Sequence, residues 1–302
     1  MAMLVVGSVA QDTIHNHLGT HDHIIGGAAV FCALSGSTFG PVQLVGVVGR
    51  DFPQSAMDLL KDKGVDLEGL EIVDGKTFHW EGRYSDDLAS RETIRTDLNV
   101  FADFRPKIPA SYRNTEYLML ANIDPELQLE VLDQVDRPKL VVADTMNLWI
   151  DIRLEKLKEL LGRIDVLTIN EEEARQLSGE HNVVVAAKAL HSLGPKTVII
   201  KRGEYGALLF DGGRTFSAPA LPLDDVKDPT GCGDTFAGGF IGHLANTPGE
   251  GFEHLKNAVI YGSAIASFCV QGIGINNVKD LSRDAVNDRV RTFHELVRFE
   301  AN

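Results

Sequence analysis

Short apolar runs alternate along the chain with segments whose hydrophobic positions return at helical spacing. Residues 3–9 form the first such run, long enough for a buried strand, and Asp12 follows where that strand would end. Residues 42–49, 116–122, 140–144, 165–170, 197–201 and 206–210 repeat the form. Residues 28–37, 54–63, 125–135, 255–270 and 280–299 read as helices. Apolar strands separated by helices need crossover connections. The pattern therefore predicts an α/β fold, a three-layer αβα sandwich on a mostly parallel central sheet. Residues 1–302 are expected to form a single domain, since no repeat, low-complexity tract or flexible linker interrupts the alternation.

One region departs from this rhythm. Residues 77–84 and 93–100 alternate in strand fashion and are rich in threonine and aromatic residues, with a polar turn at Ser85, Asp86 and Asp87 between them. Two excursions, about residues 12–25 and 71–101, predict a small β-sheet standing off the main layer. His15, His17, His21 and His23 crowd the first excursion at alternate spacing. No cysteine or glutamate joins them in a zinc-like spacing, so a solvated hairpin face is the better reading than a metal site.

Composition narrows the partners. The formal net charge is −14, which argues against nucleic acid and against an anionic membrane surface. No apolar run approaches the roughly 18 residues of a membrane span. Three cysteines, Cys32, Cys232 and Cys269, are sparse and odd in number, which suggests reduced thiols and a cytoplasmic setting. Any anionic ligand must then be received by local positive groups and main-chain dipoles.

The stretch from Asp228 to Phe240 offers such a place. Gly231 and Gly233 bracket Cys232, Asp234 follows at once, and Phe236, Ala237, Phe240, Ile241 and Leu244 can wind as a helix. A glycine-rich turn opening a helix aims unpaired N–H groups outward, a ready anion site. Two readings fit Asp234. It takes the proton from an attacking hydroxyl while the N–H groups of Gly231, Cys232 and Gly233 hold a transferring phosphoryl group, or it only complements a helix dipole.

Residues 228–236, Asp-Pro-Thr-Gly-Cys-Gly-Asp-Thr-Phe, resemble the C-terminal signature of the ribokinase (PfkB) family of carbohydrate kinases, D-T-x-G-A-G-D-x-F, with Pro229 and Cys232 as departures. Gly26 to Ala29, Asn170 to Glu173 and Lys201 to Gly206 match further motifs in the family's order and spacing. The resemblance implies a kinase that moves the γ-phosphoryl group of ATP to an alcohol of a sugar or sugar-like molecule, with Asp234 as general base. It implies substrate binding by Asp12, Gly26 and Gly27, beneath a β lid that excludes water. Asn170 and Glu173 would place Mg²⁺ through water, and Asp228 would help hold a monovalent cation such as K⁺. Lys201, Gly203, Gly206 and Gly262 would lie beside the nucleotide. The family usually carries an asparagine at the position of Phe31 and another at Gly262. Phe31 either gives the substrate an apolar face or turns into the core. Arg83, Arg91 and Arg95 either bind an anionic substrate group or are lid-surface charges, the latter favoured for most. Asp144 and Asn147 are further, weaker candidates near the site.

A nucleoside kinase of the same family is the first alternative, since aromatic lid residues can stack on a base. A non-catalytic nucleotide or sugar sensor on the same fold is the second. A dinucleotide oxidoreductase is disfavoured because the first strand lacks Gly-x-Gly-x-x-Gly. Exposed lid edges would let two subunits pair as a homodimer.

Overall fold

The computed structural model describes residues 2–298 and 300. Its strands are β1 (Met3–Val6), β2 (Ala10–Asn16), β3 (Gly19–Gly26), β4 (Val42–Gly49), β5 (Val65–Val73), β6 (Phe78–Tyr84), β7 (Arg91–Asp97), β8 (Tyr117–Leu120), β9 (Leu140–Asp144), β10 (Val166–Asn170), β11 (Thr197–Lys201), β12 (Ala207–Asp211) and β13 (Arg214–Ala218). Its helices are α1 (Ala28–Ser37), α2 (Gln54–Asp62), α3 (Pro125–Leu132), α4 (Asn147–Ile152), α5 (Leu154–Leu161), α6 (Glu171–Ser178), α7 (Val183–Ser192), α8 (Cys232–Asn246), α9 (Gly251–Cys269) and α10 (Arg283–Val297).

Nine strands share one sheet in the order β13-β12-β11-β10-β9-β8-β1-β4-β5. All pairings from β11 to β5 are parallel, and β12 and β13 add an antiparallel edge. Alternation explains why these strands are apolar throughout. In β1, Met3 and Val5 enter one apolar layer while Leu4 and Val6 enter the other. In β11, Ile199 faces the first layer and Val198 and Ile200 the second. Phe240 and Ile241 of α8, with Val259 of α9, cover the first face, and Leu129, Leu157 and Leu190 cover the second. This is the expected three-layer αβα sandwich on a mostly parallel sheet.

The first strand lies between β8 and β4, so the chain leaves it in opposite directions along the sheet. Ligands of open α/β sheets bind beyond the carboxyl ends of the strands at such a reversal.

A second sheet, β3-β2-β6-β7, stands over that end. β2 pairs antiparallel with β3 and parallel with β6, and β6 pairs antiparallel with β7. The strand expected over residues 93–100 stops at Asp97. Asn99 takes a left-handed φ of 49° and its amide donates to the Thr77 carbonyl at 2.9 Å, which opens a 3₁₀ turn over Asn99–Asp103. The last helix ends at Val297; the expected end at Phe299 lies outside the described residues.

Candidate active site

Three adjacent parallel strands end in polar residues. Asp144 closes β9, Asn170 closes β10 and Lys201 closes β11, with Asn170 and Lys201 directly opposite in the ladder. The Lys201 ammonium meets the buried Asp144 carboxylate at 2.5 Å. Burial works against that ammonium, but Asp144, Glu173 and Asp234 more than offset it and hold its pKa above the usual lysine value. Asn170 caps α6: its side chain accepts from the Glu173 N–H at 2.8 Å, and the Glu173 carboxylate accepts from the Asn170 N–H at 3.0 Å. Burial, then the Asp144 charge, raises Glu173 to about 7.

The turn before α8 is braced at both ends. Asp228 is 1% exposed; its carboxylate accepts from the Thr230 N–H and the Gly274 N–H, each at 2.9 Å. Each oxygen accepts one hydrogen bond and so keeps a lone pair. Gly231 caps the helix in the left-handed region at φ 72°, and a Cβ there would meet the Phe31 ring at 2.4 Å. The Cys232 N–H turns back to the Pro229 carbonyl at 3.2 Å. The Gly231 and Gly233 N–H groups have no acceptor among the described residues, which leaves two donors of the expected three for an anion. Asp234 stands in the first turn of α8 and keeps part of its surface open. Burial, then Asp144, lifts its carboxyl to about 7, against the pull of Lys201 and Arg91.

The second sheet supplies the opposite wall. Asp12 lies in β2, buried; burial, then the nearby Asp228 and Asp234 charges, raises it to about 7 against a hydrogen bond from the Trp80 main chain. Its carboxylate lies where a Gly26 Cβ would stand, 2.1 Å away, so the glycine makes room for it. Gly27 has φ 92° and a Cβ there would reach the Ser8 carbonyl at 2.4 Å, which is why α1 can start so close to β1. The Thr230 hydroxyl donates to the Tyr84 oxygen at 3.0 Å, tying β6 to the glycine turn.

Several expected site residues do other work. Phe31 is 2% exposed and its ring supports the Gly231 turn from the core side; it does not face a substrate. Gly262 is buried in α9, where a Cβ would collide with the Phe236 carbonyl at 2.7 Å; it lets α8 and α9 approach and is not open to a nucleotide. Gly206 is filled from behind by the Ala218 carbonyl, whereas Gly203 faces open space. The Cys232 thiol is free and half-buried; a hydrogen bond with the Cys269 thiol, then burial, pushes it well above the usual range, so it is no nucleophile. Asn147 is exposed and its side-chain oxygen accepts from the neighbouring Leu148 N–H. Among the histidines, His15 bonds Glu81 and Thr20, each at 2.9 Å, and no group of three or more His, Cys, Asp or Glu that could hold a metal occurs among the described residues.

Sequence reasoning passed over Tyr84, and it gave Asp144 little weight. The Tyr84 signal was its place at even spacing from Trp80 on one strand; the Asp144 signal was its position at a strand end level with Asn170 and Lys201.

The pfkB family carbohydrate kinase model matches residues 3–280. The chain belongs to the pfkB family of carbohydrate kinases. As a pfkB kinase it is a phosphotransferase with an alcohol acceptor, of the sugar or nucleoside kinase type. It is 34% identical over 246 residues to the cytidine kinase of Thermococcus kodakarensis, covering 79% of this chain and 87% of that one. The nucleoside kinase of Methanocaldococcus jannaschii superposes with a TM-score of 0.78 at 21% identity, covering 96% of this chain and 98% of that chain. The Arabidopsis thaliana ribokinase complexed with ribose and ATP gives 0.75 at 24% identity, covering 96% and 99%. No helix among the described residues is long and apolar enough to cross a membrane.

Proposed function

We propose that this pfkB kinase transfers the γ-phosphoryl group of ATP to a hydroxyl of a ribose-bearing nucleoside, of the cytidine type in preference to a free sugar. The observation that carries the transfer chemistry is a carboxyl held near neutrality, Asp234 at about 7, beside the unpaired Gly231 and Gly233 N–H groups. Asp234 accepts the acceptor's hydroxyl proton as that oxygen attacks phosphorus. The new O–P bond forms, the bond to the β-phosphate oxygen breaks, and ADP leaves. The two N–H groups and the α8 dipole hold the charge in transit. Asp12, with the space cleared by Gly26, binds acceptor hydroxyls.

Glu173 and Asn170 fit a magnesium site reached through water. Glu173 is buried with its carboxylate accepting a single hydrogen bond, and its raised pKa marks a charge that a cation would settle. Mg²⁺, when bound, neutralises charge on the phosphate oxygens.

The nucleoside preference draws on the similarity to a cytidine kinase across most of both chains. The test is ADP release with Mg²⁺-ATP and cytidine, uridine, adenosine, ribose or fructose, with products identified by mass. Phosphorylation of cytidine at the highest kcat/KM supports the reading. Preference for a free sugar overturns the acceptor, and binding without any phosphorylated product overturns the reaction.

A further inference from the structure

The site is short of positive charge. Asp12, Asp144, Glu173, Asp228 and Asp234 converge on it, and Lys201 is already committed to Asp144 at 2.5 Å. Besides Mg²⁺ and the Gly231 and Gly233 N–H groups, a further protein cation would ease the approach of a triphosphate to these carboxylates.

The second sheet carries three arginines that differ in what holds them. Arg83 lies on β6 beside Glu92, 3.8 Å away, and Arg95 pairs with Asp97 at 2.6 Å. The Arg91 side chain makes no ion pair and no hydrogen bond among the described residues; its guanidinium rests over the Trp80 ring, 5.5 Å from the centroid. It is the direct cross-strand partner of Tyr84, and opposite residues of a ladder share a face. The Tyr84 oxygen is bonded to Thr230, one residue before Gly231, so that face looks onto the glycine turn. Arg83 is next to Tyr84 along β6 and therefore points to the other face. The Arg91 charge acts on Asp234, Glu173 and Tyr84.

We propose that Arg91 is a catalytic residue of the phosphoryl transfer, brought by the lid to the oxygens of the transferring group. This rests on the phosphoryl-transfer reading above. The Trp80 ring and the Tyr84–Thr230 bond hold the guanidinium in place without using its N–H groups, so all five stay free for phosphate. As the acceptor oxygen bonds to phosphorus and ADP departs, the charge on the equatorial oxygens gains a partner that Lys201 cannot supply.

The test compares wild type, Arg91→Ala, Arg91→Lys, Arg83→Ala and Asp234→Asn in steady-state kinetics, with and without added guanidinium ion. The expected result is a fall of about 100-fold or more in kcat for Arg91→Ala, with the acceptor KM within about threefold. Free guanidinium should restore part of that loss, Arg91→Lys should retain an intermediate rate, and Arg83→Ala should match wild type. Arg91 is exposed, so the thermal midpoint should not move. The proposal is overturned if Arg91→Ala keeps kcat within about twofold, if the defect is confined to the acceptor KM, or if guanidinium restores nothing. A dead Asp234→Asn beside a fully active Arg91→Ala would remove Arg91 alone; no product from wild type would remove the reaction itself.

Discussion

Replacing Asp12 by asparagine should stabilise the ligand-free protein at alkaline pH and leave it nearly unchanged in acid. The side chain is 5% exposed, and its pKa rises from 3.8 to about 7 because burial, then Asp228 and Asp234, disfavour the ionised form. The sign follows from linkage. A carboxyl raised on folding adds its full stability below the unfolded value, and that stability is lost as pH climbs through the folded one. The gap of about 3 units, at about 1.36 kcal/mol each, sets an upper figure of about 4 kcal/mol. Part of it is repulsion shared with Asp228 and Asp234, so about 2–4 kcal/mol is expected. Asparagine keeps an acceptor for the Trp80 main chain and carries no charge. Urea unfolding of both proteins near pH 4 and near pH 8 isolates the effect, because groups common to both cancel in the difference. The variant should match wild type at the lower pH and exceed it at the higher. A difference that is the same at both pH values, or that favours wild type at pH 8, refutes the reasoning.

Lys201→Met should destabilise by about 3–5 kcal/mol, since it strands the buried Asp144 carboxylate; adding Asp144→Asn should recover at least half, read by urea unfolding. Gly231→Ala should cost about 1–2 kcal/mol for the left-handed turn alone, and more from the collision with Phe31. Its kcat should fall at least about tenfold because the free N–H pair is displaced, measured beside the thermal midpoint.

The sheet was legible because its strands are buried on both faces and so run apolar without a break, and because the glycine-rich turn has one geometry to offer. The antiparallel edge was half missed: residues 214–218 alternate weakly and are largely exposed, so burial leaves little trace in them. The end of β7 was misplaced because Asn99 adopts its left-handed turn through a bond to Thr77, a partner 22 residues away. Phe31 and Gly262 show the limit at the site. A motif position says where a residue lies on the chain, but which way a side chain turns depends on what packs against it. Phe31 is drawn under Gly231, and Gly262 is fixed by the approach of α8. Tyr84 escaped early notice for the same reason, since its partner Thr230 sits on the other side of the site, and Arg91 could not be told from Arg83 and Arg95 until the ladder register was seen.

The central claim is that Asp234 is the base. It is tested most directly by the pH dependence of kcat/KM for wild type and Asp234→Asn with Mg²⁺-ATP and the preferred acceptor. Wild type should rise along a limb with an apparent pKa near 7, the value burial and Asp144 impose on this carboxyl. Asp234→Asn should lose about 100-fold or more while still binding ATP, since general-base catalysis is worth about that much. Turnover in Asp234→Asn close to wild type, with the same limb intact, would contradict it.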